Sequence, residues 1–179
     1  MSFTKSNKTF KSTANDRVYT PTLAAKYIVE YFAPTGRMLE PCCGDGAFLK
    51  YLPNADWCEI EKGKDFFDYH ERTDWIITNP PFSIYDKFLL HSFAVADNVV
   101  FLTQLNKTIK SKKLDIQIQK YGELKEVVLM GGGNDFGFPF GFPCGCLYYK
   151  RGYFGATRLV RAYDWKEQNT ISLLGSESQ

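Results

Sequence analysis

The sequence predicts an α/β fold in which a mostly parallel central sheet carries helices on both faces. Three observations support this prediction. Helical patterns alternate with short apolar strands along the chain. The sequence contains no internal repeat and no second composition regime, and its 179 residues suit one domain.

The first half of the chain gives one clear helix and three strands. Thr20 is predicted to cap a helix that runs to about Phe32, with Pro21 in its first turn and apolar residues on one side. Strands are predicted near residues 37–40, 55–60 and 74–78. We expect a helix near 46–52 between the first two strands, and an irregular segment through Asp65-Phe66-Phe67 before the third.

The second half continues the alternation. Ser83 and Asp86 are spaced as a capping box for the helix that carries Phe88. A strand near 98–103, a lysine-rich helix near 111–121 and a strand near 125–130 follow. Beyond residue 150 we expect one last strand or helix and then a frayed polar tail.

Composition agrees with a compact enzyme, since 44% of the residues are apolar and 16% are aromatic. No apolar run approaches the roughly 18 residues of a membrane span, and the first residues lack the apolar centre of a signal peptide. Five cysteines without a C-x-x-C pair fit a reducing compartment. We therefore expect a cytoplasmic protein. We expect no metal site, because neither Cys42-Cys43 nor Cys144-x-Cys146 has a supporting histidine nearby.

Residues 79–82 read Asn-Pro-Pro-Phe and directly follow the apolar run of the third strand. A conjugated amino group delocalises its lone pair, and it becomes nucleophilic when two fixed acceptors hold its hydrogens out of plane. The side-chain carbonyl of Asn79 and the backbone carbonyl of Pro80 can be those acceptors, because the Pro80-Pro81 pair fixes the backbone. Phe82 offers a flat surface for a planar substrate. The same four residues can also form an ordinary strand-to-turn junction.

A second motif lies in residues 38–48, which read as a short strand, a glycine turn and a helix start. Gly44 and Gly46 have no Cβ, so the backbone there can approach a ligand closely. Glu40 at the strand end can meet the ammonium of an amino-acid group. The dinucleotide fingerprint G-x-G-x-x-G is absent, which disfavours a pyrophosphate ligand.

Glu-Pro-x-x-Gly-x-Gly at residues 40–46, followed about 35 residues later by Asn-Pro-Pro-Phe, resembles the class I S-adenosylmethionine-dependent amino-methyltransferases. The N6-adenine DNA methyltransferases are the most similar group. The resemblance covers roughly residues 19–150. It implies a Rossmann-like fold with a late antiparallel strand, and S-adenosyl-L-methionine as the cofactor. Around the single catalytic domain that we expect at 19–165, the polar composition predicts a mobile segment at 1–18 and a polar tail at 166–179.

The resemblance also assigns the site residues. The catalytic motif corresponds to Asn79, Pro80, Pro81 and Phe82, with Asn79 also touching the donor. The donor-binding motif corresponds to Glu40, Pro41, Cys42, Gly44 and Gly46, and the family's Thr-Pro element corresponds to Thr20 and Pro21. For the donor ribose we favour Glu59 over Glu61. For the donor adenine, Asp65 would receive the amino group while Phe66 lies beside the ring.

The chain departs from the family pattern in two ways. Sequence-specific DNA methyltransferases usually carry a target-recognition domain, and 179 residues leave no room for one beside the core. Either short loops recognise the target, a protein partner supplies specificity, or specificity is low. The fourth motif position holds Phe82 where tyrosine is commoner, but the stacking role requires only a ring.

Two segments are candidates for contacting the substrate. Lys107, Lys110, Lys112 and Lys113 either neutralise phosphates, with Lys107 and Lys110 nearest the motif, or begin a solvated helix. In the glycine- and phenylalanine-rich segment 131–143, Phe138 and Phe140 are the candidates to sandwich an extruded base against Phe82. For any single ring we favour the alternative, in which the rings fill the core of a hairpin whose second arm is Cys146–Tyr149.

The function expected from these motifs is methyl transfer to an exocyclic amino group, with adenine in DNA as the favoured substrate and nucleic acid as the partner. Asn-Pro-Pro also occurs in enzymes that methylate adenine in ribosomal RNA or a glutamine amide in protein. A catalytically inactive donor-binding subunit is the alternative from another class. No membrane association is expected.

Overall fold

The computed structural model describes residues 18–108, 111–138 and 141–167 of the chain. Its helices are α1 (Thr22–Phe32), α2 (Tyr85–Val95) and α3 (Lys112–Tyr121). Its strands are β1 (Met38–Glu40), β2 (Asp56–Trp57), β3 (Thr73–Thr78), β4 (Ala96–Gln104), β5 (Leu124–Gly132), β6 (Pro143–Lys150) and β7 (Arg158–Arg161). Residues 1–17 of the predicted segment 1–18 and residues 168–179 of the predicted tail 166–179 lie outside the described residues, as do Lys110 and Phe140.

The strands form one sheet in the order β2-β1-β3-β4-β6-β5-β7. Strand β6 is antiparallel to both β4 and β5, while the other neighbouring pairs are parallel. This arrangement confirms the predicted α/β fold with a mostly parallel sheet and a late antiparallel strand. Because β1 and β3 are parallel neighbours, their carboxyl ends meet at the same edge of the sheet.

Helix α1 packs on one face of the sheet through residues spaced at helical intervals. Ala24, Ala25 and Ile28 are buried there together with Ile77 and Val100 of the sheet. Phe136 and Phe138 of the glycine-rich segment and Trp165 complete this apolar cluster. The apolar side predicted for this helix is confirmed in part: Ile28 is buried and Tyr27, Tyr31 and Phe32 pack against the cluster, whereas Leu23 is exposed.

Helices α2 and α3 cover the opposite face. Phe88 and Leu89 of α2 and Leu114 and Ile118 of α3 pack against sheet residues such as Phe101. The Ser111 hydroxyl caps α3 by accepting a hydrogen bond of 3.2 Å from the Leu114 backbone N–H. Helices thus lie on both faces, as predicted. No helix in the described part of the chain is long and apolar enough to cross a membrane.

Three local predictions are wrong. Residues 46–52 form a series of turns, because Gly46 has φ +85° and Pro53 prevents a longer helix. Pro21 rather than Thr20 is the N-cap of α1. Helix α2 begins at Tyr85 after a 3-10 turn at Phe82–Ile84, so the predicted capping box is displaced and no side chain caps the helix.

Candidate functional site

A cavity of about 300 Å³ opens at the sheet edge where β1 and β3 end. Its walls come from Val18 and Tyr19, from the turn after β1, from residues 59–62 after β2, and from Asn79 and Pro81 after β3. A smaller adjoining cavity of about 40 Å³ reaches Thr20 and Glu40. The two sequence motifs thus meet at one site, although they lie more than thirty residues apart.

The glycine turn forms one wall of this cavity. Gly44 has φ +50°, a conformation that favours glycine, and a Cβ added there would lie 3.1 Å from the ring of Tyr19. The Gly44 N–H donates a hydrogen bond of 2.7 Å to Oε2 of Glu59, and Nζ of Lys62 donates one of 2.9 Å to the Gly44 carbonyl. The turn is therefore fixed by side chains from the segment after β2.

Glu40 is buried at the end of β1, with 1% of its surface exposed. Its Oε1 atom accepts hydrogen bonds from the Thr78 hydroxyl and, at 3.3 Å, from the Cys42 backbone N–H. Burial raises the pKa of the Glu40 carboxyl to about 8, although both hydrogen bonds favour the charged form. The site therefore contains an acid whose charge a cationic ligand would stabilise.

Cys42 bridges the two motifs. Its Sγ atom lies 3.0 Å from Oγ1 of Thr78 and 3.3 Å from the backbone carbonyl of Asn79, to which the thiol donates. Burial, more than the neighbouring Glu40 charge, raises the pKa of this thiol well above its usual value. Cys42 is therefore a neutral structural link between the end of β3 and the turn after β1.

The amide of Asn79 is held on one side only. Its Nδ2 group donates a hydrogen bond of 3.1 Å to the backbone carbonyl of Val18. Its Oδ1 atom is buried and accepts no hydrogen bond from the residues that the structure describes. A buried carbonyl without a donor is unfavourable in a finished core, so Oδ1 has the character of an acceptor that awaits a ligand. Pro80 is buried behind it.

Phe82 follows the motif and is positioned by a chain of aromatic rings. The ring of Phe138 meets it edge to face, with centroids 5.6 Å apart. Phe138 stacks on Phe136, which in turn stacks on Trp165. Phe138 is 3% exposed and belongs to the core of the β5–β6 hairpin, as the favoured alternative predicted for it. Its edge nevertheless contacts the motif.

Lys107 also lies beside the motif. Its Nζ atom donates a hydrogen bond of 3.4 Å to the Phe82 carbonyl and lies 6.0 Å from the centre of the Phe82 ring. The preceding strand β4 ends at Gln104, so Lys107 reaches the same sheet edge as Asn79. A positive charge therefore adjoins the position where a planar substrate would stack.

The structure does not bring Asp65 and Phe66 to this cavity. Asp65 accepts a hydrogen bond of 3.0 Å from the Phe67 N–H and lines a separate polar cavity of about 400 Å³, together with Arg37 and Trp57. Phe66 is buried against Phe88, 4.6 Å between ring centres. The cavity of about 400 Å³ contains neither motif, so we place the candidate site at the cavity of about 300 Å³ and the small cavity that adjoins it.

The site also includes residues that the sequence reasoning missed. Tyr19 lines both cavities with 59% of its surface exposed, and Ile60 and Lys62 line the larger of the two. Tyr19 directly precedes the Thr20-Pro21 element, and an apolar Ile60 between Glu59 and Glu61 was a usable signal. Thr20 lines the small cavity and Glu61 lines the larger one, whereas Pro21 lines neither.

No protein-family model matches the chain, and no curated protein sequence is significantly similar to it. Solved structures are similar in fold. A Listeria monocytogenes protein assigned to the class I S-adenosylmethionine-dependent methyltransferases matches with a TM-score of 0.61 at 13% identity, over 93% of this chain and 72% of its own.

Two further similar structures are methyltransferases with different names. The methyltransferase subunit of a type I restriction-modification system from Streptococcus thermophilus has a TM-score of 0.62 at 14% identity, over 91% of this chain and 54% of its own. A dimethyladenosine transferase from Plasmodium falciparum has a TM-score of 0.56 at 12% identity, over 75% of this chain and 62% of its own. The present chain thus spans about half of the type I subunit. It has the Rossmann-like fold of the class I S-adenosylmethionine-dependent methyltransferases.

Proposed function

We propose that this protein transfers a methyl group from S-adenosyl-L-methionine to an exocyclic amino group, and that the group is N6 of adenine in DNA. One observation carries the proposal. The buried Oδ1 atom of Asn79 accepts no hydrogen bond within the described chain, and it belongs to a residue that lines the same cavity as the positive-φ turn at Gly44. The Oδ1 atom suits a ligand whose amino group donates a hydrogen bond. The turn at Gly44 suits a second ligand that lies close to the backbone.

The residues of the cavity fit the methyl donor. Glu40 would meet its ammonium group, the backbone around Gly44 would contact its amino-acid part, and Glu59 would accept from its ribose hydroxyls. A side chain at position 44 would close the approach, because its Cβ already lies within 3.1 Å of Tyr19. When bound, the donor supplies a sulfonium methyl that needs no further activation.

The chain's own contribution is to orient the amine. Asn79 Oδ1 and the Pro80 carbonyl would accept hydrogen bonds from the two N–H groups of the amine. These bonds would turn the nitrogen lone pair toward the methyl carbon. The new N–C bond forms as the S–C bond breaks, and the amine then loses one proton to water. Asn79 is uncharged and takes no proton. Most of the acceleration comes from positioning, which can supply roughly 7–11 kcal/mol.

Adenine in DNA is the substrate we favour because the site offers a ring and a cation next to the amide. Phe82 would stack on an extruded base, and Lys107 would lie near its phosphate. Similar folds occur in the type I methyltransferase subunit and in the dimethyladenosine transferase, whose names refer to restriction-modification and to dimethyladenosine. Adenine in RNA is therefore the second candidate, and a glutamine amide in protein is the third.

A protein partner for target recognition is part of the proposal. The chain spans about half of the type I methyltransferase subunit that it resembles, at 54% of that chain. The described residues form one sheet with its helices and contain no additional domain that could read a sequence. In this proposal a partner or short loops select the target, or specificity is low.

The direct test is to incubate the protein and methyl-labelled S-adenosylmethionine with unmodified DNA, with ribosomal RNA and with cell protein. Mass spectrometry of the hydrolysates then identifies the product. N6-methyladenine in DNA supports the proposal, and label in RNA or glutamine retains the mechanism but changes the substrate. Donor binding by calorimetry without transfer to any of the three would instead identify an inactive or partner-dependent donor-binding subunit.

A further inference from the structure

The side chain of Asn79 can occupy two orientations that differ by exchange of its oxygen and nitrogen. Only one of them is compatible with Val18, because a backbone carbonyl accepts hydrogen bonds and cannot donate one. The Nδ2 group therefore faces the Val18 carbonyl at 3.1 Å, and Oδ1 must face the other way. On the side away from Val18, Oδ1 has no hydrogen-bond partner among the described residues.

We propose that Val18 is a positioning residue, whose backbone carbonyl selects the orientation of the Asn79 amide that presents Oδ1 to the substrate amine. This inference rests on the proposed function and deepens it. Val18 does not touch the reacting atoms. It acts through Asn79, at a sequence separation of 61 residues.

The segment around Val18 is held in place from both sides. The Val18 side chain packs against the apolar cluster beneath α1. Thr20 is buried two residues later, and α1 begins at Thr22. Tyr19 lies between Val18 and Thr20, and its ring is within 3.2 Å of the position that a Cβ on Gly44 would take. The carbonyl that holds Asn79 therefore belongs to a segment that also covers the glycine turn.

This arrangement makes asparagine necessary at position 79. The resembled family accepts aspartate or asparagine at that motif position. Here an aspartate would place a carboxylate oxygen against the Val18 carbonyl, where two acceptors repel. A protonated aspartate could donate its O–H to Val18 and leave its other oxygen for the amine. The activity of Asn79→Asp should therefore depend on pH in a way that the wild type does not share.

The test compares Asn79→Asp with the wild type in the full-length chain between pH 6 and 8, using saturating donor and the best substrate found above. We expect the variant to lose at least about a hundredfold in kcat at pH 8. The ratio of variant to wild-type kcat should then rise by up to about tenfold for each unit that pH is lowered. The ratio cancels titration of the other ionisable groups that line the two cavities, which are Tyr19, Glu40, Cys42, Cys43, Asp45, Glu59, Glu61 and Lys62.

A second variant tests the contact even if Asn79→Asp fails to fold. Val18→Gly loosens the segment, so the Asn79 side-chain amide proton that faces residue 18 should exchange with solvent at least about tenfold faster in an NMR measurement. Its kcat, measured with saturating donor, should fall about tenfold. Equal exchange rates in Val18→Gly and wild type would overturn the inference.

The two proposals fail differently. If the wild type transfers methyl groups but Asn79→Asp is as active at pH 8 as at pH 6, the positioning role of Val18 is wrong and the methyltransferase stands. If the wild type methylates nothing, the proposed function fails. The exchange measurement still decides the Val18 contact in that case, because it needs no substrate.

Discussion

The backbone N–H of Gly44 donates a hydrogen bond of 2.7 Å to the carboxylate of Glu59, which joins the turn after β1 to the acidic residue after β2. This bond fixes the wall of the cavity at the point where the chain has φ +50°. The turn therefore has its shape without a ligand. A substitution in the turn should weaken donor binding more than it slows methyl transfer by the bound complex.

Gly44→Val should abolish donor binding, because a branched side chain would fill the space beside Tyr19 and strain the positive-φ backbone. Gly63→Val is a matched control, since Gly63 also has positive φ (+75°) but nothing lies within 4 Å of its Cβ position. Both variants should lose roughly 1–2 kcal/mol of folding stability. Calorimetry should find donor binding only in the control, and undiminished binding by Gly44→Val would place the donor elsewhere.

Glu40 predicts a pH dependence of stability. Burial holds its pKa at about 8 in the folded protein, against 4.5 for the ordinary group. Between these values the folded state retains a proton that the unfolded state has lost, so stability falls as pH rises through this window. Glu40→Gln removes the effect. Its melting temperature should approach that of the wild type at pH 5 and exceed it by several degrees at pH 8.

The same carboxyl predicts how donor binding changes with pH. A cationic ammonium favours ionised Glu40, so the wild-type donor dissociation constant should decrease as pH rises from 6 to 8. Glu40→Gln should bind more weakly and show a flatter profile. Calorimetry of both proteins across this range measures the difference, and parallel profiles would remove Glu40 from the donor site.

Phe138 should affect substrate use beyond its effect on stability. Phe138→Leu and Phe136→Leu each truncate a buried ring of the same cluster, and each should cost roughly 1–3 kcal/mol. The ring of Phe138 meets that of Phe82 edge to face, whereas Phe136 stacks on Phe138 and on Trp165. The KM for nucleic acid should therefore rise several-fold more in Phe138→Leu than in Phe136→Leu. Equal KM values in two folded variants would limit Phe138 to the core.

Lys107 should contribute to binding of a phosphate backbone. Its removal in Lys107→Met should weaken DNA binding and reduce the slope of log K against log salt by about 1. Lys120 is the control, because it is exposed in the last turn of α3, shortly before β5 begins level with the first residues of β4, at the opposite end of the sheet from Lys107. Fluorescence titrations at several salt concentrations measure both slopes. An unchanged slope for Lys107→Met would assign this lysine to structure alone.

The sequence predicted the elements whose patterns are local. The α1 residues Ala24 and Ile28 face the core at helical spacing, and the apolar run Trp75–Ile77 lies in β3. Motif order also placed Glu40 and Asn79 correctly at the carboxyl edge of the sheet. Parallel pairing of β1 and β3 requires that placement, whatever loops connect them.

The sequence could not predict contacts that depend on how irregular segments turn. Residues 58–69 contain two 3-10 turns and a left-handed Gly63, which bury Phe66 and direct Asp65 to another cavity. The bond between Val18 and Asn79 joins residues that are 61 positions apart and follows no sequence pattern. A single sequence gives the composition of such segments but not the direction of their side chains.

The central claim is that Asn79 orients an amine beside a bound methyl donor, and Asn79→Ala tests it most directly. Methyl transfer to adenine, measured by mass spectrometry, and donor affinity, measured by calorimetry, should be compared with the wild type. We predict that transfer falls by at least about a thousandfold while the donor dissociation constant changes less than about fivefold. Transfer near the wild-type rate by a folded Asn79→Ala protein would contradict the account.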